Sequence, residues 1–276
     1  MSDRSARDVI AAARGLPGKA FTMLMAGSVL KGNGIEAEDG PIGTVKDILF
    51  DDQTWRVRWL VVDAGTWLTG RKVLLQPSCV LAADNVRGTL PVSLTRAKVK
   101  DSPAIEQDRP VSEQMESSLY DYYGWDPVWG GGIFGGGTMT QAFGSPYGAG
   151  LPVREPARAE APHDNGDPHL RSVDAVTGYH IHANDGMIGH AGDFLIDRES
   201  WAVRYLVVDT RNWWPGRHVL IAPAAVTDMS WSRRRIELNV SCDQVRESPQ
   251  WEPADPVDRN YEQRLHRHYS WPDYGW

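Results

Sequence analysis

The sequence predicts an all-β protein: two small β-barrels arising from an internal duplication, each followed by a short helical and aromatic tail. Three observations carry that prediction. A shift of about 146 residues lays the second half of the 276-residue chain on the first without a gap. Within each half the apolar residues alternate or run in short stretches, the period of strands rather than of helices. The 27 Gly and 18 Pro supply the turns that many short strands need.

The overlay begins with Asp39-Gly40-Pro41-Ile42-Gly43 on Asp185-Gly186-Met187-Ile188-Gly189. It continues with Trp55-Arg56-Val57-Arg58-Trp59-Leu60-Val61-Val62-Asp63 on Trp201-Ala202-Val203-Arg204-Tyr205-Leu206-Val207-Val208-Asp209, then Trp67 on Trp213 and Gly70-Arg71 on Gly216-Arg217. Matches at Ser102-Pro103, Pro110-Val111, Glu116, Leu119, Tyr123 and Trp125 carry it to Trp271. Roughly a third of the overlaid positions are identical.

In the first half, Ile35 and Ala37 mark a short strand ended by Asp39-Gly40, and Ile42 to Phe50 a second. Asp51 to Thr54 is a hairpin loop, and Trp55 to Asp63 a third strand rich in β-branched and aromatic residues. Lys72 to Leu75 is a fourth strand stopped by Pro77, and Arg87 to Leu94 a fifth. In the second half Met229 to Trp231 and Ile236 to Val240 form a hairpin around Ser232 to Arg235. Thr95 and Ser241 stand where helix N-caps belong. So many short strands suggest closure into barrels, which removes exposed edges. The organisation is an N-terminal extension (1–27), barrel one (28–103), tail one (104–125), a flexible Gly- and Pro-rich linker (126–170), barrel two (174–249) and tail two (250–276).

The third strand is apolar on both faces: Val57, Trp59 and Val61 on one, Leu60 and Val62 on the other. Something other than water must cover it. The expected cover is the opposite barrel, so that Leu60, Val62, Leu206 and Val208 form a domain–domain interface and the two barrels an intramolecular pseudo-dimer. The aromatic tails, Tyr120 to Trp125 and Tyr269 to Trp276, are expected to dock on the other barrel as well.

A net charge of -7 argues against phosphate backbones and anionic lipid. No apolar run is long enough to span a membrane, and no secretory signal opens the chain, so a cytoplasmic protein is expected. The Gly-rich run at 130–137 lacks the strand, helix and Lys of a phosphate loop.

These motifs resemble the PRC-barrel family. The residues that carry the likeness are Asp39-Gly40 with Ile42-Gly43, Asp47, Asp51, Trp55, Arg58 to Asp63, and Gly70-Arg71 to Leu74. The family includes the cytoplasmic part of the photosynthetic reaction centre H subunit, the nearer likeness, and the ribosome maturation factor RimM. The resemblance implies a bacterial barrel used for binding and assembly, with a protein partner, no catalytic residues and no cofactor. In the reaction centre such a domain caps the membrane complex and influences quinone-linked electron transfer. This chain shows no counterpart of the H subunit's transmembrane helix, and its acidity fits poorly with an RNA-rich particle.

Charged residues retained in both halves are Asp47 and Asp193, Asp51 and Asp197, Asp63 and Asp209, Arg58 and Arg204, and Arg71 and Arg217. Their expected roles are turn capping and structural ion pairing around the loop after the third strand, with Asp63, Arg71, Asp209 and Arg217 as the structural pairs. No Ser/His/Asp or Cys/His set recurs, so no enzyme is expected. Two alternatives to a scaffold stand. His180, His182 and His190 have metal-ligand spacing on a strand and its neighbour, which would make a metal- or small-ligand-binding protein. A RimM-like assembly factor would bind a ribosomal protein. Arg233-Arg234-Arg235 reads as a solvated turn, not a nucleic-acid contact.

Overall fold

The computed structural model describes residues 24–68, 70–81, 88–103, 113–125, 167–210, 218–253 and 255–272. The Gly-rich run, most of the expected linker and Arg217 lie outside them.

Two sheets and a few short helices make the protein mostly β, in keeping with the predicted class. The strands of the first half are β1 (Leu24–Ala26), β2 (Gly34–Ala37), β3 (Gly40–Asp51), β4 (Val57–Asp63), β5 (Lys72–Leu75) and β6 (Thr89–Pro91). Those of the second are β7 (Leu170–Ser172), β8 (His180–Ala183), β9 (Gly186–Asp197), β10 (Val203–Asp209), β11 (His218–Ile221), β12 (Val226–Ser230) and β13 (Arg235–Leu238). One sheet runs β5-β4-β3-β2-β6 and the other β11-β10-β9-β8-β13-β12. In each, one pairing is parallel, β2 with β6 and β8 with β13. No ladder joins β5 to β6 among the described residues; a single bridge from Val80 to Val92 extends β6 toward the segment after β5.

Local chemistry explains why matched residues build matched elements. A Cβ at Gly43 would overlap the carbonyl oxygen of Asp63, and one at Gly189 that of Asp209. Only glycine permits that approach of the long strand to the end of the next. Asp51 Oδ1 accepts from the amides of Gln53 and Thr54, and Asp197 Oδ1 from those of Glu199 and Ser200, closing both hairpin loops. Thr95 and Ser241 cap the short helices Arg96–Lys100 and Cys242–Arg246, the second as a full capping box. Asp39 and Asp185 reach the first amides of the same helices, Arg96 and Cys242, each at 2.7 Å.

Leu24–Ala26 and Leu170–Ser172 are strands, the first within the stretch expected as the extension (1–27) and the second starting at the last residue of the expected linker (126–170). Each is only three residues long, below the length at which alternation shows in a sequence. One expectation needs correction: the aromatic tails dock on their own halves, not on the opposite barrel. Trp59 lies against Tyr120 and Trp125, with ring centroids 5.2 and 6.0 Å apart. The hydroxyl of Tyr205 sits 3.0 Å from Glu262 Oε1 and 2.9 Å from His266 Nε2, both on the helix Arg259–Tyr269. A local segment thus covers the third strand's Trp59 face. A tail tethered to the end of its own unit has the shorter loop to close.

Candidate functional site: the seam between the two sheets

Neither sheet is completed by its own half of the chain. β1 pairs antiparallel with β9 of the second sheet, placing Leu24 opposite Asp197 and Ala26 opposite Leu195. β7 pairs in the same way with β3 of the first, placing Leu170 opposite Asp51 and Ser172 opposite Leu49. Each half gives its opening strand to the other, in matching register.

The strands deliver a polar contact. A bulge at Lys46 interrupts the β3–β4 register just before Asp47, and one at Gly192 interrupts β9–β10 just before Asp193. Bulges of this kind re-aim the next side chain. Asp47 Oδ2 accepts from Ser172 Oγ at 2.5 Å and Oδ1 from the Asp174 amide at 3.2 Å, at the start of the helix Val173–Val176. Asp193 Oδ2 accepts from Ser28 Oγ at 2.5 Å and Oδ1 from the Ser28 amide at 3.2 Å, at the start of the helix Gly27–Leu30. The carboxylate of each half therefore caps the first helix of the other. Burial raises both carboxyl pKa values above the ordinary 3.8, against the lowering effect of these donors.

A third device lies where the hairpin loops enter β4 and β10. Trp55 and Trp201 hold left-handed backbone conformations, with φ of 57° and 54°. This region is costly for a bulky residue. Their carbonyls accept across the seam, Trp55 from the Val203 amide at 2.7 Å and Trp201 from the Val57 amide at 2.8 Å. Arg56 and Ala202 form a bridge between them. Phe50 and Phe194 meet nearby, ring centroids 5.4 Å apart.

On the β3–β7 side the seam also carries charge. Arg58 reaches Asp167 at 2.5 Å and Asp51 at 3.5 Å, while Arg171 reaches Asp52 at 2.5 Å. His169 Nδ1 lies 3.0 Å from Asp52. Lys31 pairs with Asp174 across the same boundary. Asp52 is raised by burial in spite of Arg171 and His169.

The residues singled out in the sequence separate into groups. Leu60 and Val62 are fully buried and laddered inside their own sheet, Leu60 between Ile48 and Leu75 and Val62 between Val45 and Val73. Leu206 and Val208 lie likewise between Phe194 and Ile221 and between Ala191 and Val219. The cross-seam hydrogen bonds described above lie at other residues. Asp63 and Arg71 do not pair with each other: Asp63 accepts from the Gly65 amide at 2.8 Å, and Arg71 bonds the carbonyls of Lys100 and Ser102. Asp209 closes the matching strand β10, and its expected partner Arg217 is outside the described residues. His180 and His190 face each other across β8 and β9, ring centroids 4.7 Å apart, but His182 lies past a register shift, opposite Met187. No group of three His, Cys, Asp or Glu residues with metal-holding geometry occurs among the described residues. In the arginine turn, Arg233 pairs with Asp228 at 3.1 Å, Arg235 bonds Glu237, and Arg234 lies over the Tyr179 ring. Cys79 is buried, its thiol pushed up to about 12, and Cys242 is raised to about 11. Neither is a poised nucleophile.

The seam itself was invisible in the sequence. Matching positions show that Asp47 and Asp193 are equivalent, but not that each contacts the other half.

Residues 26–98 match the PRC-barrel domain, a stretch that holds β2 to β6. A protein of Deinococcus radiodurans, described as uncharacterized, is 35% identical over 74 residues, which cover 27% of this chain and 26% of that protein. The chain thus spans about a quarter of that relative. No helix among the described residues is long and apolar enough to cross a membrane.

Proposed function

We propose that the chain is a non-enzymatic binding or scaffold protein built of two PRC-type barrels, copies of one ancestral unit clasped as an internal pseudo-dimer. The reading likens it to the cytoplasmic domain of the reaction centre H subunit. One observation carries it: the charged residues retained in both halves are spent on architecture. Asp39 and Asp185 hold helix starts, Asp47 and Asp193 the seam, Asp51 and Asp197 the hairpin loops. The order shared by five strands of each sheet and the matched caps, bulges and left-handed tryptophans support descent of both halves from one unit.

The test is crosslinking in the native host, followed by titration of the purified partner onto the purified protein. The expected result is saturable binding of a protein, indifferent to chelator and to ribonuclease. Stoichiometric zinc, nickel or copper in the native protein, lost on replacing His180 and His190, would favour the ligand-binding alternative instead. Cofractionation with ribosomal subunits would favour the RimM-like one.

A further inference from the structure

We infer that the seam is a complete pairing surface in its own right: each unit is built to bind a second unit of the same kind, and the peptide between the halves is not what holds them together. The inference rests on reading the halves as matched units and adds the identity of the partner, a second copy of the unit, with the mode of binding.

The geometry is that of an isologous twofold contact, in which the same surface is used on both sides. Three contacts occur twice, with the halves exchanged, and a fourth, made once, joins the halves. The first is the donated strand, β1 on β9 and β7 on β3. The second is the carboxylate that caps the partner's first helix, Asp193 at Ser28 and Asp47 at Ser172. The third is the carbonyl of a left-handed tryptophan, Trp55 to Val203 and Trp201 to Val57. The fourth is the ring contact of Phe50 with Phe194. None involves residues 126–166.

A unit deprived of its neighbour would expose the edges of β3 or β9, an unpaired template for any strand of the right register. It would also deprive Asp47 or Asp193 of its serine and amide donors from the other half, leaving it the amide of Ile48 or Phe194. The bulges before those carboxylates and the left-handed backbone at Trp55 and Trp201 aim these groups at the second unit, which satisfies them. Apolar contact provides attraction; the four carboxylate-to-serine and carbonyl-to-amide contacts provide register, since a one-residue slip would misplace all of them.

The test uses the full chain carrying a protease site within residues 126–166, purified intact and then cut. The two fragments are expected to co-elute as one species at low micromolar concentration. Mixing with an isotope-labelled cut sample should then yield mixed pairs over time, whereas uncut protein yields none. Joint replacement of Asp47→Ala and Asp193→Ala should weaken association of the cut halves roughly tenfold or more. Asp47→Asn with Asp193→Asn, which keeps an acceptor oxygen, should retain it. Separation of the parent fragments, folded or not, overturns the inference, and so does an alanine variant that pairs as tightly as the parent. An external partner has no bearing on either outcome, so the scaffold reading can fail without this one.

Discussion

Asp47 and Asp193 show how a single side chain couples the halves and how its charge should register in stability. Burial is the largest influence on both and raises their folded-state pKa above 3.8. Asp47 also faces Asp174, which raises it further, while Lys31 near Asp193 acts in the opposite direction. A raised folded pKa means that the folded state holds the proton more tightly than the unfolded chain does. The stability this linkage supplies is fully present below 3.8 and is lost as pH rises through the folded value. Asn at both positions does not titrate. The difference in unfolding free energy between parent and the Asp47→Asn, Asp193→Asn variant should therefore move in the parent's favour as pH falls from neutral toward 3.8. Denaturant titrations across that range measure it; a constant difference, or one moving the other way, would show that burial does not govern these carboxyls. The sequence displayed both residues as retained acids. It could not display their partners, because a repeat defines equivalence and says nothing about which copy a side chain meets. The bulges at Lys46 and Gly192 leave a trace in the sequence, since Ile42, Val45 and Ile48, like Ile188, Ala191 and Phe194, fall three apart where a regular strand spaces its buried positions by two.

At the scale of elements, the long strands and their loops were readable and the covering of β4 and β10 was not. Period-two patterning located β3, β4, β9 and β10, and the turn residues located the hairpins. Two-faced apolarity correctly demanded a cover. The cover proved to be the tail, whose helix Arg259–Tyr269 buries Tyr261, Glu262, Leu265, His266 and Tyr269 along one stripe. Stacked pairs end both tails, Tyr123 on Trp125 at 4.0 Å and Tyr269 on Trp271 at 4.1 Å. The tails differ in their hearts: Trp59 meets an aromatic cluster, whereas Tyr205 meets a buried carboxylate and an imidazole. Tyr205→Phe removes a hydrogen-bonding hydroxyl from beside the fully buried Glu262, and should cost about 1–3 kcal/mol. Trp59→Phe removes apolar area without disturbing a charge. Urea unfolding of the two variants, with tail exposure followed by tryptophan fluorescence, would distinguish them. A Tyr205→Phe protein as stable as the parent would mean that the polar cluster is not what holds the second tail.

Across the whole molecule, matched residues make matched structural contacts. Two sheets that share an order of five strands trade their opening strands, cap each other's first helices and aim tryptophan carbonyls at each other's amides. The most direct measurement is amide hydrogen exchange on the intact protein, read at Leu24–Ala26, Leu170–Ser172, Val57 and Val203. These amides should be protected to the same degree as those of residues 58–63 and 204–209, the remainder of β4 and β10, because they open only when the seam opens. Exchange at the rate of an exposed loop, with those remaining amides still protected, would contradict the exchanged-strand seam and the pairing built on it.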